Sequence, residues 1–308
     1  MKVLIDGMNI VFIEYNMARK KLHDDGKELN EENLGIFYHM IINKFNSIFS
    51  TYPNPIICWE GKNSTAYRKS LYPGYKENRK KQRSEEEYQV LKKSFNTIKE
   101  ILSYYPCKQM EVEGVEGDDE IYALCEKFQD EDRVMVLSSD GDFAQLGNNF
   151  KNVMVYDPIR RREITPKEGI ERQKAVVGDA SDGIPGLYRI GPKTYEKMVA
   201  DKEEWNKVMN KDNNQKLFET FLSIIDLSKF PKERHDEIKR MEEETPYSTF
   251  QPDELEGFFW NNKLKDLLNR WGTVKNNIYS TLNSIDKNLT EDYNSDEEML
   301  DRILGEMA

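Results

Sequence analysis

VMVLSSDGDFAQL, residues 134–146, sets a short apolar run of strand character directly before two carboxylates, Asp140 and Asp142. The same arrangement recurs earlier in the chain. KVLI, after Met1, runs into Asp6, and PIICW, 55–59, runs into Glu60. NVMVY, 152–156, is a fourth strand-like run. Between these runs the apolar spacing becomes helical: Phe37, Ile41, Phe45 and Ile48 share one face of a helix predicted over 34–49. Tyr88, Leu91, Phe95, Ile98 and Leu102 share a face of another. Strands alternating with helices specify an α/β fold with a parallel sheet and helices on both faces. All carboxyl ends of such a sheet lie on one edge, so Asp6, Glu60, Asp140 and Asp142 reach one crevice.

Two further acidic groups belong with these. Glu116, Asp118 and Asp119 open a helix carrying Ile121, Leu124, Cys125 and Phe128, and Asp179 and Asp182 stand in VVGDASDGIPG. Each piece alone has an ordinary explanation. Acids favour helix N-termini, and Asp-Gly marks turns. Asp157, before Pro158 and with no second acid beside it, reads only as a turn residue. Jointly the acids are different, because carboxylates sharing one crevice raise each other's pKa and demand a counter-charge. Hard divalent cations with oxygen ligands supply it. No histidine or cysteine accompanies the acids, so Mg²⁺ or Mn²⁺ fits better than zinc. Two such ions about 4 Å apart are a device for phosphodiester hydrolysis.

Composition narrows the field. The 308 residues are 38% hydrophobic, 33% charged and 11% aromatic, enough to bury a core and too aromatic for wholesale disorder. No apolar run has the length of a membrane span and no export signal opens the chain, so a cytoplasmic protein with no membrane partner is expected. Cys58, Cys107 and Cys125 lie far apart, and His23, His39 and His235 stand in no metal spacing, which excludes a disulfide scaffold and a zinc hydrolase. The net charge of −11 conceals a segment, 62–83, with eight basic residues against Glu77 alone. That concentration is the footprint of a polyanionic partner. The stretch from residue 283 onward is acidic. In 251–268, Leu255, Phe258, Phe259 and Leu264 at helical spacing read as core, and 299–307 carries an apolar face.

At this point five strings in order carry a resemblance: LIDGMN (4–9), WEGKNSTAYRKSLYPGYKENR (59–79), GVEGDDEIYAL (114–124), SSDGDFAQL (138–146) and GDASDGIPGLYRIGPKTYEK (178–197). Together they resemble the flap endonuclease / 5′-to-3′ exonuclease family, most of all its bacteriophage RNase H-type members, over 1–200 and more weakly over 200–270. The resemblance implies a PIN/5′-nuclease-like core over 1–164 with a helical arch at about 62–105. It also implies a helix-two-turn-helix subdomain over 165–270, and a C-terminal acidic tail over 271–308 follows. The implied metal ligands are Glu116, Asp118, Asp119 and Asp140 for one ion, and Asp140, Asp142, Asp179 and Asp182 for a second. Asp6 and Glu60 would act through water, with Glu60 standing where the family usually has Asp. Arg68, Tyr75, Lys76 and Arg79 match the positions that grip the scissile phosphate, Tyr75 being suited to stack on an unpaired base. Gly183, Gly186, Gly191 and Lys193 match the duplex-binding turns, where the family often holds K⁺.

The activity implied is a Mg²⁺-dependent 5′ nuclease, a 5′-to-3′ exonuclease and flap endonuclease acting in replication as a monomer, in host cytoplasm if phage-encoded. Mn²⁺ is an expected substitute. The implied partners are flapped DNA, RNA primers in RNA–DNA duplexes, and a single-strand binding protein or sliding clamp. The alternative is a non-catalytic structure-specific DNA-binding protein, against which the near-complete acid set argues. A PIN-type ribonuclease is disfavoured by the glycine turns at 183–191 and the length of the chain.

Overall fold

The structure is a computed structural model that describes residues 1–78, 85–211 and 213–288. Its centre is a six-stranded sheet in the order β3-β2-β1-β4-β5-β6. The strands are β1 (Lys2–Asp6), β2 (Ile56–Cys58), β3 (Lys108–Met110), β4 (Val134–Leu137), β5 (Val153–Asp157) and β6 (Arg162–Glu163). The first five run parallel and β6 pairs antiparallel with β5. The four strands expected from sequence are present. The short strands β3 and β6 carry no apolar run that would reveal them, and they are strands because their neighbours pair with them.

Alternation along β1 divides the core. Val3 and Ile5 join Ile57, Met135 and Leu137 on one face, and Leu4 joins Ile56, Cys58, Val134 and Val136 on the other. The first face is covered by α1 (Gly7–Asp24), α2 (Gly35–Phe49) and α4 (Glu85–Leu102). The second is covered by α5 (Gly117–Phe128) and by α11 (Lys232–Glu244). Between α2 and α4 lies α3 (Ala66–Leu71), and α6 (Leu146–Asn149) precedes β5. A third cluster joins α7 (Ile170–Val177), α8 (Pro192–Ala200), α9 (Lys202–Met209) and α10 (Asn214–Ile225) through Val176, Leu187, Met198, Phe218 and Phe221.

The helical subdomain is therefore smaller than the expected 165–270. The last two helices, α12 (Pro252–Asn261) and α13 (Lys265–Asn288), bury Leu255, Phe259, Leu264, Trp271 and Ile278 with the α1/α2 side of the main core. Residues 271–288, expected to belong to a tail, are thus a docked helix, further tied by Thr281 Oγ1 donating to Ser50 O at 2.7 Å. The expected tail beyond 288 and the apolar face at 299–307 lie outside the described residues. The span expected as an arch, 62–105, also includes part of the main core. Leu91, Phe95, Ile98 and Leu102 of α4 are buried in the main core, so that half of the helix is a structural wall of the sheet layer. No described helix is long and apolar enough to cross a membrane.

Candidate metal centre

Asp6 ends β1 and caps α1, its Oδ1 accepting from Asn9 N at 2.9 Å and its Oδ2 from Ser138 Oγ at 2.8 Å. Asn9 Oδ1 in turn accepts from both Ser139 N and Ser139 Oγ at 3.0 Å. This knits the ends of β1 and β4 together, side by side in the sheet. Asp140 caps the turn after β4 by accepting from Asp142 N at 2.9 Å. The chain then brings two further acidic groups to the same edge. Glu116, Asp118 and Asp119, at the start of α5, offer oxygens all within 4.8 Å of one another. Asp142, Asp179 and Asp182 do the same. The charge of Asp140 acts on Asp6, on Asp118 of the first group and on Asp142 of the second, so it stands between them. Glu60 is half-buried just beyond β2 and belongs to neither group.

Cations of the protein itself meet these acids. Arg68 is 3% exposed. Its Nη1 donates to Glu116 Oε2 and to Asp119 Oδ2, each at 2.6 Å, and its Nη2 to Asp119 Oδ1 at 2.7 Å. Its Nε donates to Ile224 O at 2.9 Å, so the same side chain pins α10 to the acids. Lys76 Nζ donates to Glu116 Oε1, and Tyr75 Oη to Glu116 Oε2 at 3.1 Å. Across the crevice Lys174 Nζ bridges Asp142 and Asp179, the latter at 2.7 Å.

Two of the expected phosphate contacts are corrected by this geometry. Arg68 and Tyr75 are buried against Glu116, Tyr75 at 1% exposure, and neither has a free face for a phosphate or a base. Both act on the acids instead. Arg79 lies outside the described residues. In the glycine turns, Gly183 and Gly186 adopt φ of +71° and +70°. A Cβ on Gly183 would lie 2.8 Å from Gly74 O, and one on Gly186 2.5 Å from Gly178 N. Their bareness is required by the turn and by internal packing. Gly191, which precedes α8, has open space around it, and Lys193 is exposed in the first turn of that helix. Asp157 is a turn residue as read from sequence: it accepts from Ile159 N and Arg160 N at 2.9 and 3.0 Å.

The electrostatics show which acids lack compensation. Burial pushes Asp6 up to about 7, with Asp140 and Asp118 adding to it against the hydrogen bonds from Asn9 and Ser138. Burial and Asp140 raise Asp142 to about 6 despite Lys174. Asp118 is also raised, by burial first. Glu116 goes the other way. Burial opposes its ionisation, but Arg68 and Lys76 together outweigh it and hold the carboxyl at about 2. The crevice is thus over-supplied with carboxylates that its own cations do not neutralise. Oxygen-only donor groups with residual negative charge fit hard divalent cations. Lys174 and the hydrogen bonds of Asn9 and Ser138 escaped the sequence reading. Lys174 stands five residues before Asp179 on α7, in no pattern that marks it.

Such a centre, on the carboxyl edge of a mostly parallel sheet, gathers two acidic groups able to hold a metal ion in one crevice. Residues 1–175 match the family model described as 5'-3' exonuclease, N-terminal resolvase-like domain, and the chain belongs to that family. It is 30% identical over 168 residues to the protein named Ribonuclease H of Enterobacteria phage T4, covering 50% of this chain and 55% of that one. It is 36% identical over 138 residues to the 5'-3' exonuclease of Aquifex aeolicus, 41% and 45% of the two chains. The chain thus spans about half the length of these two relatives. To the 5'-3' exonuclease of Bacillus subtilis it is 26% identical over 223 residues, 67% of this chain and 72% of the other. In fold it is similar to T5 5'-exonuclease in a structure described as having divalent zinc ions bound. The TM-score is 0.53 at 23% identity, covering 78% of this chain and 97% of that one.

Proposed function

We propose that this chain is a Mg²⁺-dependent 5′ nuclease that hydrolyses phosphodiesters in flapped DNA and in RNA primers of RNA–DNA duplexes during replication, with Mn²⁺ able to substitute. The observation that carries this reading is the pair of oxygen-only carboxylate groups in one crevice, with Asp140 acting on both. Glu116, Asp118, Asp119 and Asp140 would hold one ion, and Asp140, Asp142, Asp179 and Asp182 the other. Asp6 and Glu60 would act from the rim through water. When bound, two such ions supply an activated water and stabilise the leaving oxygen.

The chain's own residues divide the remaining work. Arg68 helps keep Glu116 ionised and holds both Glu116 and Asp119 in place, fixing the ligand geometry before metal arrives, although burial still raises Asp119 to about 7. Lys76, at the mouth of the crevice, offsets the charge of an incoming phosphate while it orients Glu116. Gly191 and Lys193 present the open amino end of α8 to a duplex backbone. The names of the phage T4 and Aquifex relatives support the substrate class. The non-catalytic alternative is not favoured, because a degenerate centre has no reason to retain so many uncompensated carboxylates.

The test is cleavage of a 5′-labelled flap duplex with and without Mg²⁺, followed by sizing of the products. Short products from the 5′ end, or products cut near the junction, are expected only with metal. Tight flap binding in Ca²⁺ with no cleavage in Mg²⁺ or Mn²⁺ would establish the non-catalytic alternative.

A further inference from the structure

The two carboxylate groups come from distant parts of the chain, yet one short strap touches both. Residues 74–78 leave α3 and cross the crevice. Lys76 adopts a left-handed backbone, φ +54°, which turns its side chain onto Glu116 while its amide donates to Asp182 O at 2.8 Å. Two residues on, Asn78 Nδ2 donates to Ala180 O at 2.6 Å. Just before the first of these bonds the two backbones approach closely: a Cβ on Gly183 would stand 2.8 Å from Gly74 O. The loop 179–183 is thereby stitched to the strap at its middle and at its end. It is also the loop that carries Asp179 and Asp182.

Other bonds hold the two ends of this loop: Lys174 Nζ donates to Asp179 Oδ2 at 2.7 Å, and Gly183 N to Ala180 O at 3.4 Å. Asp179 and Ile184 exchange backbone hydrogen bonds at 2.8 Å across it, and Ser181 N donates to Asp179 Oδ1 at 2.9 Å. The Asn78 amide is also unusual. Its Oδ1 is buried with no hydrogen-bond partner among the described residues. A buried acceptor left unmatched carries a desolvation penalty, so among the described residues the donor bond to Ala180 O is the one that orients the side chain.

We infer that Asn78 is a positioning residue for the second carboxylate group: its bond to Ala180 O fixes the 179–183 loop so that Asp179 and Asp182 converge with Asp142. Lys76 and the second group then share one rigid support. Docking of the strap and assembly of the second metal site become a single event. This inference rests on the proposed two-ion centre, but its test separates the two.

The experiment is direct Mn²⁺ titration by calorimetry of the full chain without DNA, alongside thermal unfolding. The wild type is expected to bind two ions. Asn78→Ala is expected to retain one site unchanged and to weaken the other about tenfold, with the unfolding midpoint nearly unaltered. In flap cleavage its half-maximal Mg²⁺ concentration should rise by a similar factor, while flap affinity in Ca²⁺ stays within about twofold. Asn78→Ser, which keeps a hydroxyl donor, should recover part of the lost Mn²⁺ affinity. An unchanged isotherm overturns the inference. So does equal weakening of both sites, which would make the strap a general support of the centre. If Asn78→Ala fails to fold, Asn78→Ser decides alone: selective weakening of one site supports the inference and an unchanged isotherm ends it. A wild type that binds no Mn²⁺ would instead bring down the two-ion reading itself.

Discussion

Replacing Arg68 by methionine tests whether this side chain serves the acids or the substrate. Methionine fills similar volume but removes the guanidinium, its three hydrogen bonds of 2.6–2.7 Å to Glu116 and Asp119, and its bond to Ile224 O. Both carboxylates are at most 1% exposed and would be left without their main counter-charge. Breaking a buried pair in this way costs about 3–5 kcal/mol, because the remaining charge stays desolvated. For a domain of this size each kcal/mol moves the melting temperature by about 2–4 °C, so a fall of roughly 6–20 °C is expected in EDTA. A divalent ion bound by the orphaned carboxylates should reverse part of this. At about a hundredfold excess over its Kd it contributes about 2.7 kcal/mol. Differential scanning calorimetry with EDTA and with Mg²⁺ measures both effects, and flap affinity in Ca²⁺ should change little. A variant as stable as wild type in EDTA but deficient in flap binding would refute the reasoning and return Arg68 to a phosphate-gripping role.

Four other outcomes follow from the same geometry. Asp118→Asn should reduce Mg²⁺-dependent flap cleavage by about 10³-fold or more while preserving flap binding in Ca²⁺, since removing charge stabilisation from a reacting centre costs on that order. Lys174→Met should tighten Mn²⁺ binding at the second group, measured by titration, because its ammonium now neutralises Asp142 and Asp179. In metal-free protein, Asp6 and Asp142 hold protons in the folded state up to about 7 and about 6, well above the ordinary carboxyl value of 3.8. Their contribution to stability is therefore complete below about pH 4 and is lost as pH rises through 6 to 7, so EDTA-treated protein should melt at lower temperature at pH 8 than at pH 5, with Mg²⁺ narrowing the gap. Trp271→Ala should destabilise by about 3–5 kcal/mol in chemical denaturation, whereas Trp260→Ala, at 66% exposure, should fall within about 0.5 kcal/mol of wild type.

The sequence by itself determined the sheet and the acids. Apolar runs ending in carboxylates at Asp6 and Asp140 state both a strand and its functional end, because a parallel sheet sends every carboxyl end to one edge. The local grammar of α5 fixes Glu116, Asp118 and Asp119 in the same way, as residues that open a helix. None of these depends on knowing the neighbours. What the sequence could not decide is where a cation spends its charge. Arg68 and Tyr75 sit in the most basic segment of the chain and read as substrate contacts, but burial against Glu116 and Asp119 consumes them. Lys174 has no distinguishing pattern and becomes important only because α7 packs it between Asp142 and Asp179. Gly183 and Gly186 read as tight turns open to a phosphate backbone, and the fold adds close contacts with Gly74 and Gly178 that the sequence does not show. Residues 271–288 read as part of a tail, yet Trp271 and Ile278 are enough to dock them as a helix against α2. The reason is common to all of these. Strand direction and helix starts are written in residues a few positions apart, whereas counter-charge and helix docking depend on groups from 32 residues apart, as with Lys174 and Asp142, to 231, as with Thr281 and Ser50, which only the folded chain brings together.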